Sequence, residues 1–118
     1  MRPKTLKILG KPFTVRWLTE GLDPDLNGEC DSDKQLISIR DGQPLESSQD
    51  TLLHELIHAV DEAVDAKLKE TQVKRLATGL LAVLKDNAGL VAFLRRKTMP
   101  DANAKALPSG DAGGSRPS

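Results

Sequence analysis

His54-Glu55-Leu56-Ile57-His58 carries the only two histidines of the chain, four positions apart, with a carboxylate directly after the first. On an α-helix, residues four apart sit one above the other on the same face, so both imidazoles can reach a single cation. The glutamate projects beside them, where it can take a proton from a water held near that cation. With two histidines and six glutamates in 118 residues, chance produces this arrangement about once in a thousand chains. A metal site is therefore favoured over two unrelated surface histidines.

Around this stretch the pattern predicts one long amphipathic helix. Ser47 or Ser48 can cap its N-terminus, Asp50 suits the helix dipole in the first turn, and good helix formers continue to about Lys67. At about 100° per residue, Leu53, Leu56, Ile57, Val60 and Val64 gather on one side. His54, His58, Asp61 and Asp65 share another stripe, bordered by Glu55 and Glu62. Upstream, residues 4–18 alternate as a hairpin does, with Leu6 and Ile8, a Gly10-Lys11-Pro12 turn, then Phe13, Val15 and Trp17. Residues 20–28 hold Gly21, Asp23-Pro24 and Asn27-Gly28 and read as a connection. Glu29-Cys30, a turn at residues 31–34 and residues 35–40 make a second hairpin, with Leu36, Ser38 and Arg40 facing away from Ile37 and Ile39.

Downstream, a second helix is predicted over 70–86, burying Val73, Leu76, Ala77, Leu80, Leu81 and Leu84. Asn87-Ala-Gly89 breaks it, and residues 90–96 can add a short third helix. Strands followed by helices make the expected class α+β, a small antiparallel or mixed sheet with the histidine helix and one or two more. Residues 1–98 form the predicted domain, and residues 99–118, nearly devoid of large apolar side chains, a disordered tail.

Composition narrows the function. A hydrophobic content of 38% in 118 residues allows one modest core. Phe13, Trp17 and Phe93 are the only aromatic residues, so that core must be aliphatic. Seventeen basic and seventeen acidic residues cancel, which argues against general attraction to nucleic acid or to an anionic membrane. Lys67, Lys69, Lys74, Arg75 and the Arg95-Arg96-Lys97 run read as solvated helix faces. Cys30 is the single cysteine, so no intramolecular disulfide forms. The basic N-terminus lacks a signal-peptide core, and the longest apolar run, Leu80 to Leu84, is far short of the roughly twenty residues that span a bilayer. A soluble cytoplasmic protein is expected.

Three stretches together resemble the small zincin-type metallopeptidases encoded by phages and prophages, similar in outline to the ImmA/IrrE and SprT-like groups. They are Gly28-Glu-Cys-Asp31 with Gln35-Leu-Ile-Ser-Ile39, Thr51-Leu-Leu-His-Glu-Leu-Ile-His-Ala-Val-Asp61, and Val73-Lys-Arg-Leu-Ala77 with Leu84-Lys-Asp-Asn87. The resemblance covers roughly residues 5–95 and implies a minimal zincin-like fold, zinc held by His54 and His58, a glutamate ligand from a later helix, and peptide or protein substrates. It also implies Glu55 as general base. Glu70 is the ligand that fits, since it opens the second helix on the Val73 and Ala77 side and is expected to point inward. Asp61 and Asp65 stay open as alternatives, and either can serve instead as a carboxylate that fixes a histidine tautomer. The metzincin spacing fails, because its third ligand would be Val64 and its glycine Asp61.

Cys30 can be a thiolate ligand, but a lone cysteine in a strand is more often a small buried hydrophobe. No tyrosine and no third histidine are present to stabilise an oxyanion; Arg40, Arg75 or a backbone N–H remain open for that role. Residues 35–40 are the expected shelf for an extended substrate. The rival reading is a catalytically weak or inactive binding or regulatory protein of the same fold.

Overall fold

Thr5–Ile8 (β1) and Lys11–Leu18 (β2) pair as an antiparallel hairpin in a computed structural model that describes residues 1–101. Most of the tail expected over 99–118 lies outside the described residues. The hairpin turns on Leu9 and Gly10, both at positive φ (49° and 84°), the form whose twist matches the flanking strands. Lys11 and Pro12 therefore belong to β2, not to the turn. Pro12 opposes Lys7, one place beyond the Ile8–Lys11 pair that closes the two-residue loop. That is a non-hydrogen-bonded position, so the missing N–H loses no bond to β1.

Gly28–Asp31 (β3) and Leu36–Arg40 (β4) form the second antiparallel hairpin. β4 also runs parallel to β2, with Val15 opposite Ile37 and Trp17 opposite Ile39. The strand order is β1-β2-β4-β3, a mixed sheet of four. β4 is therefore an interior strand, and the expectation that residues 35–40 offer an open edge is corrected: β3 is the free edge on that side. The pairing carries the reason, since β4 is flanked by β2 on one side and β3 on the other, and Ile37, Ser38 and Ile39 are buried in succession, Ser38 beside the Arg16 side chain that donates to it.

The helices are Leu45–Val64 (α1), Glu70–Asp86 (α2) and Ala88–Arg95 (α3), so the protein is α+β. α1 begins two residues earlier than Ser47, with Pro44 at the N-cap and no side-chain cap. The Ser48 hydroxyl donates instead to the Gln43 carbonyl, 3.3 Å away. α1 ends at Val64, short of Lys67, because Asp65 adopts the left-handed conformation (φ 56°, ψ 46°).

The core consists of Ile8, Phe13, Val15, Ile37 and Ile39 from one sheet face and Ala59 from α1, flanked by Leu52, Leu56 and Val60. Each isoleucine fully buried there contributes about 1.5–3 kcal/mol. The packing stripe of α1 is thus Leu52, Leu56, Ala59 and Val60. The predicted stripe was rotated by about one residue: Leu53 and Ile57 are half-buried, and Val64 is exposed. α2 runs antiparallel to α1, with Glu70 beside His54 and the Thr78 hydroxyl donating to Asp50 at 3.2 Å. It buries Val73 and Ala77 but leaves Leu76 and Leu80 exposed, against expectation.

The chain divides into two compact units, Met1–Val83 and a second that begins at Leu84 and contains α3. α3 has no buried residue. Among the described residues, no single helix is long and apolar enough to cross a membrane.

Candidate metal centre

His54 and His58 occupy the third and fourth turns of α1, where the sheet on one side fixes the helix and leaves their stripe facing α2. Their rings lie 4.9 Å apart, centroid to centroid, inclined by 63°. Glu70, the first residue of α2, bridges them: its carboxylate oxygens lie 3.0 Å from His54 Nε2 and 2.8 Å from His58 Nε2. One ligand atom from each of the three residues falls within 4.8 Å of the others. Tetrahedral zinc with bonds of about 2.0–2.1 Å spaces its ligand atoms by roughly 3.3 Å. The donor set therefore fits a divalent ion after small side-chain rotations. Two imidazoles and one carboxylate, all reachable from solvent, also leave a coordination position open, which is the pattern of a catalytic rather than a closed structural site.

Glu70 did not need to be inward to reach the histidines. Its side chain is 65% exposed, and it gets there because the linker turns the chain back on itself. Asp65 and Lys67 both hold positive φ (56° and 59°), and the Leu68 N–H donates to the Asp61 carboxylate at 3.2 Å. Asp61 is thus occupied in shaping the turn, and Asp65 forms the helix end. Neither joins the cluster, nor does Cys30.

Glu55 is 7% exposed and faces β3 rather than lying in the open beside the polar stripe. Burial pushes its carboxyl above the ordinary value, while His54 and His58 pull it back. Its room is made by Gly28. A Cβ at that position would lie 2.6 Å from Thr51 Cγ2 and 3.1 Å from the Glu55 Cγ and Oε2. Gly28, expected to end the connection before the second hairpin, opens β3 instead, and its missing side chain lets α1 close onto that strand. Cys30, on the same face two residues on, is half-buried, and burial raises its thiol above the ordinary value, as a packed hydrophobe requires.

These residues line a groove of about 740 Å³, walled by residues 25–33 on one side and by α1 and the start of α2 on the other. Neither Arg40 nor Arg75 reaches it. The Arg40 guanidinium donates to the carbonyls of Asp23 and Leu26, pinning the loop that forms one end of the groove. Lys74, one turn beyond Glu70 and read as an ordinary surface lysine, is the only basic residue lining the groove among the described residues. An i, i+4 relation to the candidate ligand was the signal available for it.

Comparison with models of known protein families, with curated proteins and with solved structures finds no match to this chain.

Proposed function

We propose that the protein is a zinc-dependent metallopeptidase. The observation that carries the reading is the convergence of His54, His58 and Glu70, from two different helices, along one wall of an open groove. Zinc bound there would polarise a substrate carbonyl and lower the pKa of a water toward about 7. Glu55 accepts the proton of the attacking water and passes it to the leaving amine. Its buried position against Gly28 fixes the carboxylate in one place for both transfers. The free edge of β3 lies along the groove and offers main-chain groups to an extended peptide. Lys74 is the side chain best placed to meet negative charge developing on the carbonyl oxygen. The lone, half-buried Cys30 suits a reducing compartment, and we place the reaction in the cytoplasm.

Zinc content and proteolysis test this directly. The wild type is expected to hold one zinc per chain, His58→Ala to lose it, and Glu70→Ala to bind it at least about tenfold more weakly. Glu55→Gln is expected to keep zinc and lose cleavage in a proteome-wide screen for new termini. Turnover retained by Glu55→Gln would remove Glu55 from the reaction. Stoichiometric zinc with no cleavage by the wild type would favour a binding role.

A further inference from the structure

The chain's zero net charge conceals a segregation of charge. Among the described residues, nine acidic side chains line the groove, Glu29, Asp31, Asp33 and Glu62 among them, against one basic side chain, Lys74, in a chain with 17 of each sign. The described lining thus carries a formal −8 in a chain whose charges sum to zero. A divalent ion at the His54, His58 and Glu70 cluster would offset two of those charges and leave the groove strongly negative. The distribution within it is also uneven. Gly28 packs on Thr51 and Glu55, and Cys30 feels the charges of Glu55 and Glu62, so β3 runs alongside α1 in the same direction. Asp31, Asp33, Asp61 and Glu62 therefore collect at the far end of α1. Lys74 sits toward the other end, between Glu70 at His54 and Thr78 at Asp50.

We propose that the groove selects extended peptide segments bearing arginine or lysine, seated with their cations at the Asp33 and Glu62 end. This rests on the metallopeptidase reading for the chemistry but adds what is recognised. The free edge of β3 supplies register without regard to sequence, and the carboxylates supply preference. Neighbouring carboxylates of the groove act together wherever they lie within about one Debye length of each other, about 10 Å at 0.1 M salt. A cleft of one sign focuses the field on its axis and raises the encounter rate of oppositely charged ligands. Acidic segments and nucleic acid phosphates are repelled from the same place.

The test uses the full-length Glu55→Gln protein loaded with zinc, so that bound peptide is not consumed. Two fluorescent ten-residue Gly/Ser peptides are titrated, one with two arginines and one with citrulline in their place, which keeps shape and removes charge. The arginine peptide is expected to bind about tenfold tighter at low salt, with the advantage shrinking as salt rises. Adding Asp33→Asn and Glu62→Gln should remove most of that advantage without changing zinc content. Adding Glu20→Gln and Glu46→Gln, which alter the same formal charge outside the groove, should leave it intact. Equal binding of the two peptides, or an advantage untouched by the Asp33 and Glu62 substitutions, overturns the proposal. Zinc content on the same samples separates the two ideas. A zinc-free protein that still prefers arginine at this end keeps the selectivity and loses the metallopeptidase reading; a zinc-loaded one without preference does the reverse.

Discussion

α1 and α2 each present apolar and polar stripes, yet they are held very differently. α1 lies on β3 and β4 and sets Leu52, Leu56, Ala59 and Val60 into the sheet core. α2 buries Val73 and Ala77 only and leaves Leu76, Leu80 and Val83 each more than 40% exposed. The candidate ligands are split across that difference, two on the anchored helix and one on the lightly held one. An ion shared by the three would then tie α2 to α1, so metal and the packing of α2 are expected to act on each other.

The largest effect separates the two regions by matched truncations. Ile37, fully buried beneath α1, is expected to cost about 2–5 kcal/mol on replacement by alanine. Leu80→Ala on α2 is expected to stay within about 0.5 kcal/mol. Urea unfolding of both variants in the presence of a chelator reads the contrast. Comparable losses would mean that the exposed stripe of α2 is covered in solution, and the comparison would fall.

How much of this was legible beforehand follows the same division. Period-two alternation grouped Phe13 with Val15 in β2 and Ile37 with Ile39 in β4, and the structure buries both pairs in the core. The limits of α2 at Glu70 and Asp86 also agreed with the pattern. Rotation of α1 was misjudged, since apolar residues at 52, 53, 56 and 57 fit two adjacent stripes and only the sheet decides between them. The place of β4 inside the sheet is a tertiary fact that no local pattern encodes. At the site, the histidine spacing is local and was readable. The approach of Glu70 depends on two left-handed residues, Asp65 and Lys67, neither of which is a glycine. The part played by Gly28 was hidden, because its neighbours Thr51 and Glu55 are more than twenty positions away.

Gly28→Ala tests how closely the anchored helix must sit. The added methyl would enter the space of Thr51 Cγ2 and the Glu55 side chain. Thr51 is β-branched on a helix and rotates little. Relief must therefore come from moving α1 off β3, at about 1–3 kcal/mol. The substitution is expected to displace Glu55 more than His54 or His58, so cleavage should fall further than zinc affinity. Equal losses in both would show that the whole helix shifts as one body.

A gain rather than a loss is expected in the linker between the two helices. A left-handed conformation costs a residue with a side chain roughly 1–2 kcal/mol, and Lys67 holds it with φ 59°. Glycine there removes that strain but adds freedom to the unfolded chain, so Lys67→Gly is expected to gain up to about 1 kcal/mol. Asp65→Gly should gain less, because aspartate tolerates this region better than lysine. Since the backbone path to Glu70 is unchanged in either variant, zinc affinity should hold while stability rises. If Lys67→Gly instead weakens zinc binding, the strained linker is itself what presses Glu70 against His54 and His58, and the lightly held helix owes its position to the turn before it rather than to Val73 and Ala77.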